Sequence, residues 1–292
     1  MTRLLAALAL AAAFASPALA DIRLADDRGI TVAVASPAKR IVTLAPNLAE
    51  LAFAAGAGDR VVGVSTYTDY PEAASRLPVV GSHGRIDVER ILTLKPDLVL
   101  AWQSGNPMRD VERLEHLGVP VFVTEPRRLD DIPRILRAIG KLAGTSAIAD
   151  AEARAFEDEA TRISAPAATP RVRVLFEVWH EPLLTVNDAH LISDLLARCG
   201  GENVFGAVPL LTPRIAREQL LAVDPDVIVS SAGSGDRGEA IALWRDTPML
   251  RAVREGQVYG VDPRVIHRQS PRILEAMRVL CASVAAGRVA RR

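Results

Sequence analysis

The chain contains one αβ pattern twice: RIDVERILTLKPDLVL at residues 85–100 and RIAREQLLAVDPDVIV at residues 214–229. Each copy has a helix-like stretch, then Pro-Asp, then a short apolar run, and the second begins 129 residues after the first. A weaker match pairs residues 133–136 with residues 271–274. Self-similarity of this kind within one chain indicates a duplicated structural unit. The sequence therefore predicts two lobes built on one plan.

Short apolar runs alternate with amphipathic stretches along the whole chain. The runs that have the features of buried strands are residues 41–45, 61–64, 98–102, 119–123 and 171–178. Strands separated by single helices favour parallel βαβ units. We therefore predict an α/β fold of two Rossmann-like lobes with parallel central sheets. After the first strand, Asn47 is predicted to cap a helix, with Glu50 completing a capping box.

One long helix is predicted between the two copies of the pattern. Residues 146–164 have good helix propensity and no internal Gly or Pro, and a small-residue and proline break follows them. We interpret this helix as a rigid connection between the lobes. The predicted division of the chain is a signal peptide at 1–20, an N-terminal lobe at 21–145, the connecting helix at 146–164 and a C-terminal lobe at 165–292.

The first twenty residues have the features of an export signal. Arg3 supplies the positive start, residues 4–15 are apolar, and Ala18 and Ala20 fit a small-residue cleavage site. The apolar run is too short to span a bilayer, which needs roughly 20 residues. We predict cleavage after Ala20 and a mature protein in the periplasm.

Charge and cysteine content narrow the class of protein further. Lys plus Arg and Asp plus Glu are each 35, so the basic excess of a nucleic-acid binder is absent. Cys199 and Cys281 are the two cysteines. A single pair in an exported protein favours a disulfide, with two separate buried thiols as the alternative. Two cysteines alone make a poor metal site, so no metal centre is predicted.

Aromatic residues are concentrated where a ligand would bind. A cleft between two lobes is a preferred ligand site, and the loops after the carboxyl ends of parallel strands face it. The chain has three Trp and three Tyr, and four of these six lie on such loops: Tyr67, Tyr70, Trp102 and Trp179. They predict a flat or partly apolar ligand, with ordinary packing under the loops as the alternative.

Three histidines, His83, His180 and His267, also fall on predicted cleft loops. Because imidazole ligates cobalt and haem iron, each is a candidate ligand-binding residue, with a hydrogen-bonded surface histidine as the alternative. His116 and His190 are predicted to lie on helix surfaces.

Catalytic motifs are missing from the sequence. It has no Walker loop and no His-Glu-x-x-His helix, and Gly233-Ser234-Gly235 does not fit the frame of a hydrolase elbow. We predict no catalytic residues and a protein that is not an enzyme. An exported two-domain enzyme that uses the interlobe cleft is the alternative from a different class.

Four segments carry a resemblance to a known family: GVSTYTDYP at 63–71, LKPDLVLAW at 94–102, CGGENVF at 199–205 and RQSPR at 268–272. Together they resemble the Fe/B12 family of periplasmic binding proteins of ABC importers, over nearly the whole mature chain. The resemblance implies two α/β lobes bridged by one rigid helix with small hinge motion. It implies a Cys199–Cys281 disulfide in the second lobe.

The resemblance also implies a transport function. The protein would be a monomer, without a resident cofactor, that captures cobalamin or a related corrinoid and delivers it to an ABC permease dimer. Haem, a ferric siderophore or another metal chelate is the alternative cargo.

Individual residues match functional positions of that family. Tyr67 and Trp102 match aromatic residues that pack against the ligand, and Arg268 matches an arginine that contacts it. Glu89 and Glu218 match the carboxylates, one on each lobe, that dock on the permease. A permease of two identical subunits presents the same basic patch twice, so matched acids on both lobes fit it. Favourable charge near a helix start is the alternative role of both acids. The chain departs from the family's pocket aromatics at His83, Val178, Leu184 and Thr212.

Overall fold

The computed structural model describes residues 21–82, 84–165 and 170–290. Its strands are β1 Ile22–Ala25, β2 Thr31–Val34, β3 Ile41–Thr43, β4 Val61–Gly63, β5 Gly81–Ser82, β6 Arg85–Ile86, β7 Leu98–Trp102, β8 Val121–Thr124, β9 Val172–Glu177, β10 Gly201–Asn203, β11 Val227–Ser230 and β12 Val258–Gly260. Its α-helices are α1 Pro46–Ala54, α2 Glu72–Ser75, α3 Val88–Thr93, α4 Met108–His116, α5 Asp131–Ala143, α6 Ser146–Ile163, α7 Leu191–Arg198, α8 Arg217–Val223, α9 Arg237–Trp244, α10 Arg251–Arg254, α11 Pro263–Ile266 and α12 Ile273–Ala290.

Two four-stranded parallel sheets form the centres of the lobes. Their strand orders are β4-β3-β7-β8 and β10-β9-β11-β12, the same order within each unit. The central strands are apolar and buried on both faces, as parallel strands covered by helices must be. The repeated sequence forms α3 and β7 in the first lobe and α8 and β11 in the second. The predicted α/β fold of two parallel-sheet lobes is confirmed.

The long helix α6 covers residues 146–163, within one residue of the prediction. Its buried residues are Ala149, Ala153, Phe156 and Ala160, which recur on one helical face. Because most of these side chains are small, α6 can approach α5 closely. Gly140 of α5 lies against Ala149 of α6 with no room for a Cβ atom. Helix α6 also packs against α12 of the second lobe. It therefore contacts both lobes along its length.

One apolar cluster runs through both lobes. It joins Phe122 of the first sheet, Phe156 of α6 and Phe176 of the second sheet in one cluster of buried residues. Separate clusters cover the other face of each sheet. Because the interior is continuous across α6, moving one lobe against the other would disturb close-packed side chains.

The predicted disulfide joins Cys199 to Cys281 and so links the end of α7 to α12. None of the helices in the described ranges is long and apolar enough to cross a membrane.

The predicted capping box at Asn47 and Glu50 is wrong. Helix α1 begins at Pro46, with Ala45 as the N-cap residue and no side-chain cap. Proline is favoured at the first helical position because its φ is fixed near the helical value. Asn47 and Glu50 are instead buried inside the first two turns, where both meet residues of the second lobe.

Candidate functional site

The lobes are joined by an ion-pair cluster, here called the interlobe cluster, which contains Glu50, Asp69, Arg268, Ser270 and Arg272. The Arg268 guanidinium donates to Glu50 Oε1 at 2.9 Å and also to Asp69. Ser270 Oγ donates to Glu50 Oε2 at 2.5 Å, and Arg272 lies 3.4 Å from Glu50 Oε1. Burial alone would lower the pKa of Arg268, but the hydrogen bonds that it donates to Asp69 and Glu50, together with the charges of both acids, outweigh burial and raise the pKa. Arg268 therefore stays charged.

This cluster brings the loop after β4 to the segment before α12. Arg268 donates a third hydrogen bond, 2.9 Å long, to the backbone carbonyl of Tyr67. The Arg272 guanidinium stacks over the Tyr70 ring at 4.3 Å, and Asn47 donates to Gln269 at 3.3 Å. The loop after the carboxyl end of β4 in the first lobe therefore meets the segment between α11 and α12 of the second lobe at one junction.

Two aromatic residues, Tyr67 after β4 and Trp179 after β9, have exposed side chains. The Tyr67 side chain is 84% exposed and its backbone has φ of 62°, in the left-handed region that few non-glycine residues occupy. The Arg268 bond to its carbonyl helps to hold that conformation. Trp179 follows β9, is 56% exposed, and donates its indole N–H to the carbonyl of Glu181 at 2.9 Å. Large aromatic rings left in solvent mark a surface available for binding.

Trp102 ends β7 and is held by the turn that follows it. Asn106 Oδ1 accepts from the Trp102 backbone N–H at 2.7 Å, and Asn106 Nδ2 donates to the Leu44 carbonyl at 2.8 Å. The indole lies over Gly105, where a Cβ atom would collide with the ring. The ring orientation is therefore set by the absence of a side chain at residue 105.

His190 and His267 are both packed inside the C-terminal lobe, and a charge on His267 would disfavour a proton on His190. Ser231 Oγ donates to the Glu177 carbonyl at 2.9 Å, so it accepts from His267 Nε2–H, also at 2.9 Å. His190 Nδ1 accepts from the backbone N–H of Ile192 at 3.2 Å and so caps α7. Burial lowers the pKa of each histidine to about 4. The prediction that His190 lies on a helix surface is wrong, since it caps the helix from a packed position.

The described contacts of His180 are with residues of the C-terminal lobe and not with the interlobe cluster. Its Nδ1 lies 2.6 Å from Glu177 Oε1, and its ring meets the Trp244 indole edge to face, with centroids 5.3 Å apart. Glu177 is fully buried, and its second oxygen accepts from Trp244 Nε1 at 2.7 Å. The histidine is therefore oriented within the C-terminal lobe, beside α8 and α9.

The two candidate docking acids occupy equivalent places, each the second residue of its helix. Glu89 lies in the first turn of α3 and Glu218 in the first turn of α8, and both are exposed. Glu89 pairs with Arg113 at 2.9 Å. Among the described residues, no cation lies within salt-bridge distance of Glu218.

His83 lies outside the described residues. In the described ranges no group of three or more His, Cys, Asp or Glu side chains could hold a metal ion. The sequence did not indicate the interface roles of Asn47, Glu50 and Asp69. A charged residue inside the apolar run 48–55 was the one signal that could have indicated Glu50.

Known proteins resemble this chain over most of its length. A family model described as periplasmic binding protein matches residues 41–265. The vitamin B12-binding protein of Yersinia pestis (strain Pestoides F) is 36% identical over 252 residues, 86% of this chain and 88% of that protein.

Solved structures agree with these matches. The crystal structure of the periplasmic vitamin B12 binding protein of Vibrio cholerae has a TM-score of 0.78 at 33% identity, covering 86% of this chain and 98% of that one. The periplasmic heme-binding protein of Roseiflexus sp. RS-1 in apo form has a TM-score of 0.74 at 25% identity, covering 85% and 98%. The resemblance seen in the sequence is confirmed: this chain belongs to the periplasmic binding protein family.

Proposed function

We propose that this protein is an exported solute-binding protein of an ABC importer that captures cobalamin or a related corrinoid in the cleft between its lobes. The observation that carries the proposal is the junction at Arg268, which joins the loops of both lobes beside the exposed ring of Tyr67. The vitamin B12-binding relatives support a corrinoid as the cargo. Export to the periplasm with cleavage after Ala20 is part of the proposal.

The ligand site we propose consists of aromatic faces, hydrogen-bonding groups and one charged anchor. Tyr67, Trp102 and Trp179 supply faces for a flat macrocycle. Arg268 supplies a fixed cation, and His267 offers the ring nitrogen that Ser231 leaves unoccupied. His83 completes the set as the residue that stands where the family has an aromatic ring.

Haem or another metal chelate is the second candidate cargo. The heme-binding relative of similar fold favours it, and so does the ring nitrogen of His267 that does not bond Ser231. Imidazole is a common axial ligand of haem iron.

Titration of the purified mature protein with cyanocobalamin, cobinamide and haemin separates the two cargoes. We expect calorimetric binding of at least one corrinoid and weaker binding of haemin. A dissociation constant above about 0.1 mM for every corrinoid, which is a free energy of only about −5.5 kcal/mol, would reject the corrinoid proposal. Tight haemin binding together with that result would establish the alternative.

Trp102→Ala should weaken corrinoid binding by about 1–3 kcal/mol, because a ring packed on the ligand contributes on that scale. Gly105→Ala should also weaken binding, since the added methyl displaces the same indole. Isothermal calorimetry measures both effects. Leu117→Ala, which removes an exposed apolar side chain at the end of α4, serves as the control. Equal affinities for all three variants would remove Trp102 from the site.

Replacing Glu89 and Glu218 together by Gln should abolish uptake while leaving corrinoid affinity unchanged. Both carboxylates project from exposed helix starts, where they can meet paired basic residues of a two-fold permease. Transport into proteoliposomes and calorimetry on the same protein give the two readouts. A parallel loss of corrinoid affinity would contradict a docking role.

A further inference from the structure

A small apolar pocket of about 100 Å³ opens beside α8, on the lobe that carries Glu218. Its base consists of buried side chains, those of Leu183, Leu220, Trp244 and Leu250. Two exposed apolar residues stand at its rim: Leu221 is 45% exposed and Met249 is 55% exposed. An apolar hollow with exposed apolar residues at its mouth is a feature of interaction surfaces.

The pocket is preformed, because a buried polar network fixes one of its walls. Glu177 accepts from His180 and from the Trp244 indole, at 2.6 and 2.7 Å. A buried carboxylate without such partners would be strongly unfavourable, so both side chains are held in their places. A partner that enters the pocket would therefore meet a rigid surface and lose little free energy in ordering it.

The pocket is continuous with the acid that we propose for docking. Leu221 lies on α8 less than one helical turn after Glu218. The adjoining groove, which Glu218 lines, shares His180, Leu183 and Arg217 with the pocket. An unpaired carboxylate beside an apolar hollow fits a partner that offers a basic side chain and an apolar one close together.

The N-terminal lobe is built differently at the equivalent place. Residues 103–120, all described, connect β7 to β8 through the single helix α4. In the C-terminal lobe, β11 and β12 are connected by α9 and the additional helix α10, and Met249 and Leu250 lie between them. The duplicated plan is thus altered at the segment that closes the pocket.

We propose that the pocket receives an apolar side chain from a periplasmic segment of the importer's permease, whose neighbouring basic residue pairs with Glu218. This inference rests on the proposed transport function and adds a second, apolar element to docking. It makes the two lobes unequal partners, with the C-terminal lobe forming the stronger contact.

The test compares Leu221→Lys with Leu92→Lys, which is the same change at the position 129 residues earlier in the repeat. Both side chains are exposed, so both variants are expected to fold. The assay follows ATP hydrolysis by the organism's own corrinoid importer in nanodiscs. The measured quantity is the concentration of corrinoid-loaded protein that gives half-maximal stimulation. We expect Leu221→Lys to raise it about tenfold, as loss of an anchoring contact does, and Leu92→Lys to change it less than twofold.

Corrinoid affinity, measured by calorimetry on the same samples, separates this inference from the proposed function. If the wild-type protein binds no corrinoid, the proposed function fails. If it binds and stimulates the importer but the two variants behave alike, only the pocket inference is overturned. A wild-type dimer in sedimentation experiments that Leu221→Lys dissociates would mean that the pocket takes a second copy, and would overturn it as well.

Discussion

Glu50→Ala is expected to destabilise the protein by about 3–5 kcal/mol, the range for removing one partner of a buried ion pair. Glu50 is 3% exposed and accepts from Arg268, Ser270 and Arg272. Without the carboxylate, two guanidinium groups would face each other with only Asp69 left to balance Arg268. Urea unfolding followed by circular dichroism gives the change in the free energy of unfolding.

Glu72→Ala is the matched control, because Glu72 is an exposed carboxylate paired with Arg76 within one helical turn. Such surface pairs contribute between about 0 and 1 kcal/mol. A loss at Glu50 no larger than the loss at Glu72 would show that the interlobe cluster does not stabilise the fold. We also expect Glu50→Ala to weaken corrinoid binding, since Arg268 bonds the Tyr67 carbonyl from this cluster.

The contrast between Glu50 and α6 shows which features of the fold the sequence could predict. The prediction of helix α6 is correct to within one residue because its signals are local: good helix propensity, no internal Gly or Pro, and a proline break after it. The parallel sheets followed from the same kind of local alternation, strengthened by the repeat. Such features need no knowledge of which residues meet across the molecule.

The function of Glu50 depends on residues 218 to 222 positions away along the chain. Its spacing from Asn47 satisfies the local pattern of a capping box, but the helix starts at Pro46, two residues earlier than predicted, and both side chains face the second lobe. The same two side chains could either cap the helix or bond to the second lobe, and in the structure they bond to the second lobe. Sequence spacing alone could not distinguish the two outcomes.

The candidate site was predicted in part for the same reason. The rule that loops follow the carboxyl ends of strands placed Tyr67 and Trp179 correctly after strands and Trp102 at the end of one, because it needs only strand positions. It could not separate His267, near the interlobe junction, from His180, which packs on Trp244 within one lobe. The direction of a side chain after a strand depends on packing that the sequence does not display.

Acidification from pH 7.5 to pH 5 should lower the free energy of unfolding by about 4 kcal/mol through His190 and His267 together. Burial lowers the pKa of each to about 4 in the folded protein, against an ordinary value near 6.5. Between these pH values the two histidines bind protons in the unfolded chain but not in the folded protein. Their contribution to the free energy of unfolding is therefore nearly complete above about pH 6.5 and decreases as the pH falls toward 4. Each histidine accounts for about 2 kcal/mol by pH 5.

Local contacts explain why both imidazoles stay neutral. A proton on His190 Nδ1 would break the cap that it gives to Ile192, and it would add charge beside His267 and Arg127. The double variant His190→Gln, His267→Gln should therefore show a nearly flat stability between pH 5 and pH 7.5. His116→Gln, at an exposed position of α4, should keep the wild-type slope. If the double variant loses stability with falling pH as steeply as the wild-type protein, other groups control the response and the two histidines do not.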